Sequence, residues 1–210
     1  MISLNIYKLI ALFRFILFYI LFKKSSYKNF KYSNVYFQGY KKIRLGSKNI
    51  FQRHSSIIVD HFSNNQNISI GNNNNFSSYS ILRTHGGYIK IGDNSFVGER
   101  TQIQGRGGVE IGSNVLIAPN TFISSSNHDY SNPEDDNYLK KELPKKTVIE
   151  DKVWIGANCL IVAGVKIGKC SIVAGGSVVT KDIEPYTIEA EKPEKKIKSY
   201  DLQKKSWQKI

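Results

Sequence analysis

An aliphatic side chain recurs at every sixth residue through the stretch 147–180 of the sequence. An α-helix repeats every 3.6 residues and a half-buried strand every two, so a period of six fits a short strand followed by a corner. Because six is a multiple of two, all of these side chains can point to one side. The repeat is typical of a parallel β-helix, whose coils stack as strands about 4.8 Å apart. The repeat positions are Ile149, Ile155, Ile161, Ile167, Val173 and Val179.

The same spacing continues towards the N-terminus, where insertions interrupt it. Three hexads make one triangular coil, so six apolar triplets predict an all-β fold of about six coils. We expect Asn73, Asn94, Asn114 and Asn158 at the corners, because asparagine accepts left-handed backbone angles at low cost. The triplets are Leu45/Phe51/Ile57, Ile70/Phe76/Leu82, Ile91/Val97/Ile103, Ile111/Ile117/Ile123, Ile149/Ile155/Ile161 and Ile167/Val173/Val179.

The longest interruption separates Ile123 from Ile149, and it is polar and rich in turn residues. A long excursion from a regular scaffold is where functional residues are usually found. This loop, 124–148, holds a single histidine, His128. We therefore expect the functional site at this loop.

The charge balance of the chain indicates an anionic partner. Thirty Lys and Arg residues against 17 Asp and Glu residues give a net charge of +13. The lysines cluster near the two ends and no nucleic-acid-binding module is recognisable, so a membrane surface or a phosphorylated ligand is favoured over nucleic acid. Cys159 and Cys170 form neither a metal-binding pattern nor a disulfide framework, and no metal is expected.

Residues 1–22 are the most apolar part of the chain, and only Lys8 and Arg14 interrupt them. These internal charges and the lack of a small-residue cleavage site argue against a signal peptide. We predict an N-terminal apolar helix that associates with a membrane surface through residues 1–24, followed by a basic linker to residue 42. The lysines favour the anionic inner face of the cytoplasmic membrane, which predicts a cytoplasmic, peripheral protein. A helix packed on the β-helix or on a sister subunit is the alternative.

The β-helix is predicted to span residues 43–183, and a charged tail, 184–210, follows it. The hexad pattern stops at Pro185. Open coil edges invite pairing with other strands, so we expect the tail to cap the β-helix as a short helix that begins at Pro193.

The segment 111–183 resembles the hexapeptide-repeat acyltransferases in IGSNVLIAPN, NHDY and VIEDKVWIGANCLIVAGVKIGKCSIVAGGSVVTKDI. The most similar branch contains sugar O-acetyltransferases and exopolysaccharide-assembly acetyltransferases. The resemblance implies a left-handed β-helix, a homotrimer with active sites between subunits, and acetyl-CoA as the acyl donor. It leads us to expect acetyl transfer to a sugar hydroxyl during assembly of a cell-surface polysaccharide.

The resemblance also implies roles for single residues. His128 matches the general base, which takes the proton from the acceptor hydroxyl. Asp129 is the expected partner that orients His128, with Asp135, Asp136 or a backbone carbonyl as alternatives. The expected contacts with the acyl donor come from Trp154, Ala157, Gly175, Thr180, Lys181 and Lys198. Trp154 is alternatively a contact with a neighbouring subunit.

Two departures from the family pattern concern the nucleotide end of the donor and the acceptor side, and the second leaves the acceptor open. Glu191 and Glu194 replace small residues near the nucleotide end of the donor, and Arg100 or Gly98 stands where a polar Asn or Asp is usual on the acceptor side. The alternative function is N-acetylation of an amino sugar or a nucleotide-linked amino sugar. A β-helical carbonic anhydrase would need three histidines on one metal, a spacing that the four histidines do not show. A non-catalytic trimeric scaffold is the remaining alternative.

The segments RTHGG and QGRGG carry further polar residues of interest. They place Arg83, His85 and Arg106 near coil corners, either as solvated side chains or as contacts for an anionic or glycosyl acceptor.

Overall fold

The computed structural model describes residues 29–60, 67–132, 134–137, 140–190 and 195–209. The predicted apolar helix at 1–22 and the membrane contact of 1–24 lie outside these ranges, as do Glu191, Pro193 and Glu194. No helix within the described ranges is long and apolar enough to span a membrane.

The described chain folds as a parallel β-helix with three sheets, named A, B and C here, which confirms the all-β prediction. Sheet A contains Phe30–Lys31, Ile50–Phe51, Asn75–Phe76, Phe96–Val97, Leu116–Ile117, Trp154–Ile155, Ile172–Val173, Thr187–Ala190, Lys195–Asp201 and Ser206–Lys209. Sheet B contains Tyr36–Gln38, Ser56–Ile58, Ile81–Arg83, Gln102–Gln104, Phe122–Ile123, Leu160–Ile161 and Val178–Val179. Sheet C contains Ile43–Leu45, Asn67–Ile70, Tyr88–Ile91, Val109–Ile111, Thr147–Ile149 and Lys166–Ile167. A 3-10 turn, Tyr40–Lys42, and a small hairpin, Ser126–His128 with Glu142–Pro144, complete the elements.

The predicted hexad residues form the core. All eighteen predicted triplet positions are buried, and each triplet takes one position in sheet C, one in sheet A and one in sheet B. Successive turns lie in register, so that Ile111 pairs with Ile149 and Ile149 with Ile167. The inward side chains therefore stack in columns, and Phe51 and Phe76 lie parallel with ring centroids 5.0 Å apart.

The corners have the predicted backbone. Asn73, Asn94, Asn114 and Asn158 have φ angles of 56°, 57°, 59° and 58°, in the left-handed region. Glycine permits the tightest approach between turns, because a Cβ added to Gly71 would lie 2.7 Å from the Gly92 carbonyl oxygen.

The β-helix is longer than the predicted six coils, since sheet B alone has seven strands. An additional turn of the β-helix precedes Leu45. In this turn Lys31 lies on a strand of sheet A and Phe37, six residues later, lies on a strand of sheet B. Lys31 interrupts the apolar pattern there. At the other end, Ile183 bridges to Ile167, and Glu189 pairs with Val173. The coil therefore continues past Pro185, and Glu189 is buried in this last turn.

The prediction of a helix in the C-terminal tail is wrong for the residues described. Lys195–Asp201 is a strand that pairs antiparallel with Thr187–Ala190 and with Ser206–Lys209. The unpaired backbone groups at the end of sheet A offer a template for strand pairing, which overrides the local helix preference of a charged segment.

Candidate active site

His128 stands on a hairpin that rises from the corner between sheets B and C, called the B–C corner here. Its strand, Ser126–His128, pairs antiparallel with Glu142–Pro144, and His128 lies directly opposite Glu142. Two backbone hydrogen bonds of 2.9 Å extend the pairing, from Lys145 N–H to the Ser125 carbonyl and from Asp129 N–H to the Lys141 carbonyl. The histidine is thus exposed but stands on a paired strand.

The base of the hairpin is tied to the β-helix on both sides. The Ser125 hydroxyl donates to the Gln104 carbonyl at 2.6 Å, and the Thr147 hydroxyl donates to the Ser124 carbonyl at 2.6 Å. A cavity of about 250 Å³ lies at this base, lined by Asn127, Asp129, Tyr130, Ser131, Leu143, Lys145 and Ala163. It is a concave, mixed polar and apolar space next to the histidine strand.

The predicted partners of His128 make their hydrogen bonds within the loop. The Asp129 carboxylate accepts from the Ser131 hydroxyl at 2.6 Å and from the Ser131 N–H at 3.0 Å. These two bonds lower the pKa of Asp129 below its ordinary value. The Asp135 carboxylate is bonded to Lys141, which lowers the pKa of Asp135.

A chain of polar contacts runs along the B–C corner to the hairpin. Arg106 Nε lies 2.6 Å from Glu142 Oε2, and Arg106 Nη1 donates to the His85 carbonyl at 2.8 Å. The His85 N–H donates to Asp60 Oδ2 at 2.8 Å, and Arg83 Nη2 lies 2.9 Å from Asp60 Oδ1. Burial, followed by the charge of Arg83, lowers the pKa of His85. The predicted corner residues Arg83, His85 and Arg106 are therefore held by carboxylates and backbone groups of the protein.

The residues expected to contact the acyl donor fall into three places. Ala157 and Gly175 are neighbours on the corner between sheets A and B, the A–B corner, where the Gly176 N–H donates to the Ala157 carbonyl at 2.7 Å. Trp154 lies beside them on the outer face of sheet A and is 50% exposed. Thr180 and Lys181 follow the strand Val178–Val179, where the chain leaves sheet B.

Lys198 occupies a third place, on the outer strands of sheet A. It pairs with Ile188 on one side and Lys209 on the other. Sheet B lies between the A–B corner and the hairpin of His128, so one chain does not bring all the predicted residues together.

Glu142 and Asp60 are site residues that the sequence did not predict. The position of Glu142 opposite His128 follows from strand pairing inside an aperiodic loop, which leaves no repeat to detect. The described residues contain no group of three or more His, Cys, Asp and Glu side chains that could hold a metal ion.

Comparisons with known proteins agree with this architecture. The family model described as "Bacterial transferase hexapeptide (six repeats)" matches residues 146–181, and "Hexapeptide repeat of succinyl-transferase" matches residues 88–125. WbbJ of Escherichia coli, named as a lipopolysaccharide biosynthesis O-acetyl transferase, is 32% identical over 151 residues, covering 67% of this chain and 77% of that protein. The stacked hexads define a hexapeptide-repeat β-helix, and the chain belongs to the hexapeptide-repeat transferase family.

Two further relatives differ in their acceptors. The galactoside O-acetyltransferase of Escherichia coli is 36% identical over 113 residues, covering 54% of this chain and 55% of that protein. A variant of AntD, an N-acyltransferase from Bacillus cereus in complex with dTDP-4-amino-4,6-dideoxyglucose and coenzyme A, superposes with a TM-score of 0.60 at 26% identity, covering 80% of this chain and 84% of that one. The chain spans about half the length of the first curated relatives that it matches.

Proposed function

We propose that this protein is an acetyl-CoA-dependent O-acetyltransferase that acts on a sugar hydroxyl in cell-surface polysaccharide biosynthesis. The proposal is carried by the position of His128, which is exposed on a hairpin that is anchored to a hexapeptide-repeat β-helix. The O-acetyltransferase names of two relatives support a hydroxyl acceptor.

His128 is the general base of the proposed reaction. The imidazole takes the proton of the acceptor hydroxyl while the hydroxyl oxygen attacks the thioester carbonyl carbon of acetyl-CoA. The tetrahedral intermediate collapses, the C–S bond breaks, and the imidazolium returns the proton to the leaving thiolate. The products are the acetyl ester and CoA, and no covalent enzyme intermediate is needed.

Acetyl-CoA is proposed to bind along the A–B corner. Ala157 and Gly175 have small side chains, which let an extended ligand approach the backbone closely. Trp154 offers an exposed aromatic surface beside them. Thr180, Lys181 and Lys198 are proposed to contact the nucleotide end, where cations suit its phosphates.

A homotrimer would bring the two halves of the site together. Sheet B lies between the A–B corner and the hairpin, and about six extended residues separate them, which corresponds to roughly 20 Å. A site that combines His128 of one copy with Ala157 and Gly175 of another avoids this gap. The apolar outer face of sheet A is a suitable contact surface, and its exposed members include Phe30, Ile50, Leu116 and Trp154.

The cellular location is also a proposal. Residues 1–24 would attach the protein to the inner face of the cytoplasmic membrane, where lipid-linked sugar acceptors are assembled. The apolar sequence of 1–22 and the lysines that follow it support this placement.

N-acetylation of an amino sugar or nucleotide-linked amino sugar is a second candidate. The similarity in fold to AntD, an N-acyltransferase solved with a nucleotide-linked amino sugar, favours it. The same base would serve, because an amine that attacks the thioester also has to lose a proton.

The function is tested by incubating the protein with labelled acetyl-CoA and surface-glycan fractions of the host. The expected product is a glycan heavier by one acetyl group, which mild alkali releases because esters saponify. An alkali-stable product would support the N-acetylation candidate. No transfer to any hydroxyl or amine would reject both.

A further inference from the structure

We propose that Glu142 is a positioning residue that orients the His128 imidazole and stabilises its charged form, and that Arg106 holds Glu142 in place. The inference rests on the proposed function, in which His128 is the base. The register of the hairpin places His128 and Glu142 directly opposite each other.

The backbone pattern defines the type of this cross-strand pair. Bonds link Asp129 N–H to the Lys141 carbonyl and Lys145 N–H to the Ser125 carbonyl. Hydrogen-bonded and non-hydrogen-bonded pairs alternate along an antiparallel ladder, so the pair of His128 and Glu142 is non-hydrogen-bonded. In such pairs the Cα atoms are about 4.5 Å apart and the side chains lie close on one face of the hairpin.

Arg106 fixes the carboxylate of Glu142 from the side of the β-helix. Its Nε lies 2.6 Å from Glu142 Oε2, and its Nη1 donates to the His85 carbonyl. A guanidinium held at two points restricts the rotamers of the glutamate. A carboxylate has two acceptor oxygens, and Oε1 is the atom that we assign to the imidazole.

The chemistry explains why a carboxylate is needed at this position. A hydrogen bond from one ring nitrogen to Glu142 leaves the other nitrogen as the acceptor of the hydroxyl proton. The negative charge then stabilises the imidazolium until the proton passes to the CoA sulfur.

The geometry favours Glu142 over Asp129 for this role. Successive residues of a strand point to opposite faces, so Asp129 and His128 diverge. The Asp129 carboxylate also accepts two hydrogen bonds from Ser131.

Steady-state kinetics of Glu142→Gln provide the first test. We expect kcat to fall about 10- to 100-fold, as for a misoriented catalytic group, with an unchanged KM for acetyl-CoA. Glu134→Gln is the matched control, because it removes the same charge from an exposed position of the same loop. A fall in kcat of less than threefold, or an equal fall in the control, would overturn the inference.

Nitrogen-15 NMR of the histidine rings gives a readout that does not depend on turnover. The His128 signals are assigned by their loss in His128→Gln. At alkaline pH we expect one dominant neutral tautomer in the wild type and in Glu134→Gln, and a mixture in Glu142→Gln. Identical His128 signals in all three proteins would reject the role of Glu142 even if acetyl transfer is observed. A wild type without acetyl transfer would reject the proposed function, and the NMR comparison would still decide whether Glu142 orients the ring.

Discussion

Arg83 and Asp60 form an ion pair between adjacent turns of the β-helix, with Arg83 Nη2 at 2.9 Å and Nε at 3.0 Å from Asp60 Oδ1. The Asp60 side chain is 3% exposed, and it also accepts the His85 N–H. Burial raises the pKa of Asp60, but the bonds from Arg83 and His85 together outweigh burial, and the pKa lies below its ordinary value of 3.8. This buried carboxylate therefore makes folding dependent on pH.

We predict that Asp60 stabilises the fold above its unfolded-state pKa and that this contribution is lost on acidification. A lowered native pKa means that the unfolded chain binds the proton more readily, so stability falls as pH drops towards and through the native value. Asp60→Asn should lower the unfolding temperature at pH 7 and flatten its decline below about pH 4, as measured by circular dichroism.

Asp136→Asn is the control for this experiment, because Asp136 is exposed on the loop. His85 is present in both variants, and its titration does not distinguish them. An Asp60→Asn protein whose unfolding temperature follows the wild-type pH curve would show that the ion pair does not contribute.

The β-helix was predictable because the same requirement for inward apolar residues recurs in every turn. Every turn must supply one inward apolar residue per sheet, so a single rule applies eighteen times and random exceptions stand out. The rule failed at Lys31 and at Glu189, where charged residues occupy coil positions in the first and last described turns. Glu189 pairs with Val173 on one side and with Lys196 of the antiparallel strand Lys195–Asp201 on the other, so it does not lie between two hexad turns.

The candidate site was predictable only in part, for a physical reason. His128 stands out as the single histidine of the longest loop, and a family motif surrounds it. Glu142 is opposite it only because the loop folds back as a hairpin, and the Arg106 contact depends on a different turn. Neither relationship has a period or a fixed sequence spacing.

The proposed role of His128 as the base predicts that its removal lowers activity but leaves stability almost unchanged. His128→Ala should reduce kcat/KM for acetyl transfer by about 10²- to 10⁴-fold, the usual contribution of a general base. Because His128 is exposed, the free energy of unfolding should change by less than about 0.5 kcal/mol.

His54→Asn provides the comparison, since His54 is exposed on the A–B corner with a φ of 61° that asparagine tolerates. Activity assays and urea unfolding of both variants are the measurements. An active His128→Ala enzyme would refute the proposed mechanism.

The proposed donor groove predicts a change in binding at Gly175. A Cβ added there would lie 3.2 Å from the Ala157 carbonyl oxygen, which narrows the corner without a severe clash. We expect Gly175→Ala to raise the KM for acetyl-CoA about tenfold, a loss of about 1.4 kcal/mol of binding, with kcat within a factor of three. Calorimetric titration with CoA would measure the binding directly, and an unchanged affinity would place the donor elsewhere.

The outer faces of sheets A and C lead to a prediction about the proposed assembly, in which sheet A is the proposed contact surface. The apolar outer column of sheet A contrasts with sheet C, where Lys90 and Lys146 both contact Glu110, at 3.3 Å and 3.2 Å. Leu116 on sheet A is 43% exposed, and Val148 on sheet C pairs with Glu110 and Lys166.

Leu116→Glu should therefore dissociate the trimer, whereas Val148→Glu should leave it intact. A carboxylate in an apolar interface loses hydration without gaining a partner, which costs several kcal/mol. On sheet C the new carboxylate stays hydrated and has lysines nearby. Sedimentation equilibrium of the wild type and both variants measures the mass. A monomeric wild type would reject the assembly, and a trimeric Leu116→Glu would move the interface away from sheet A.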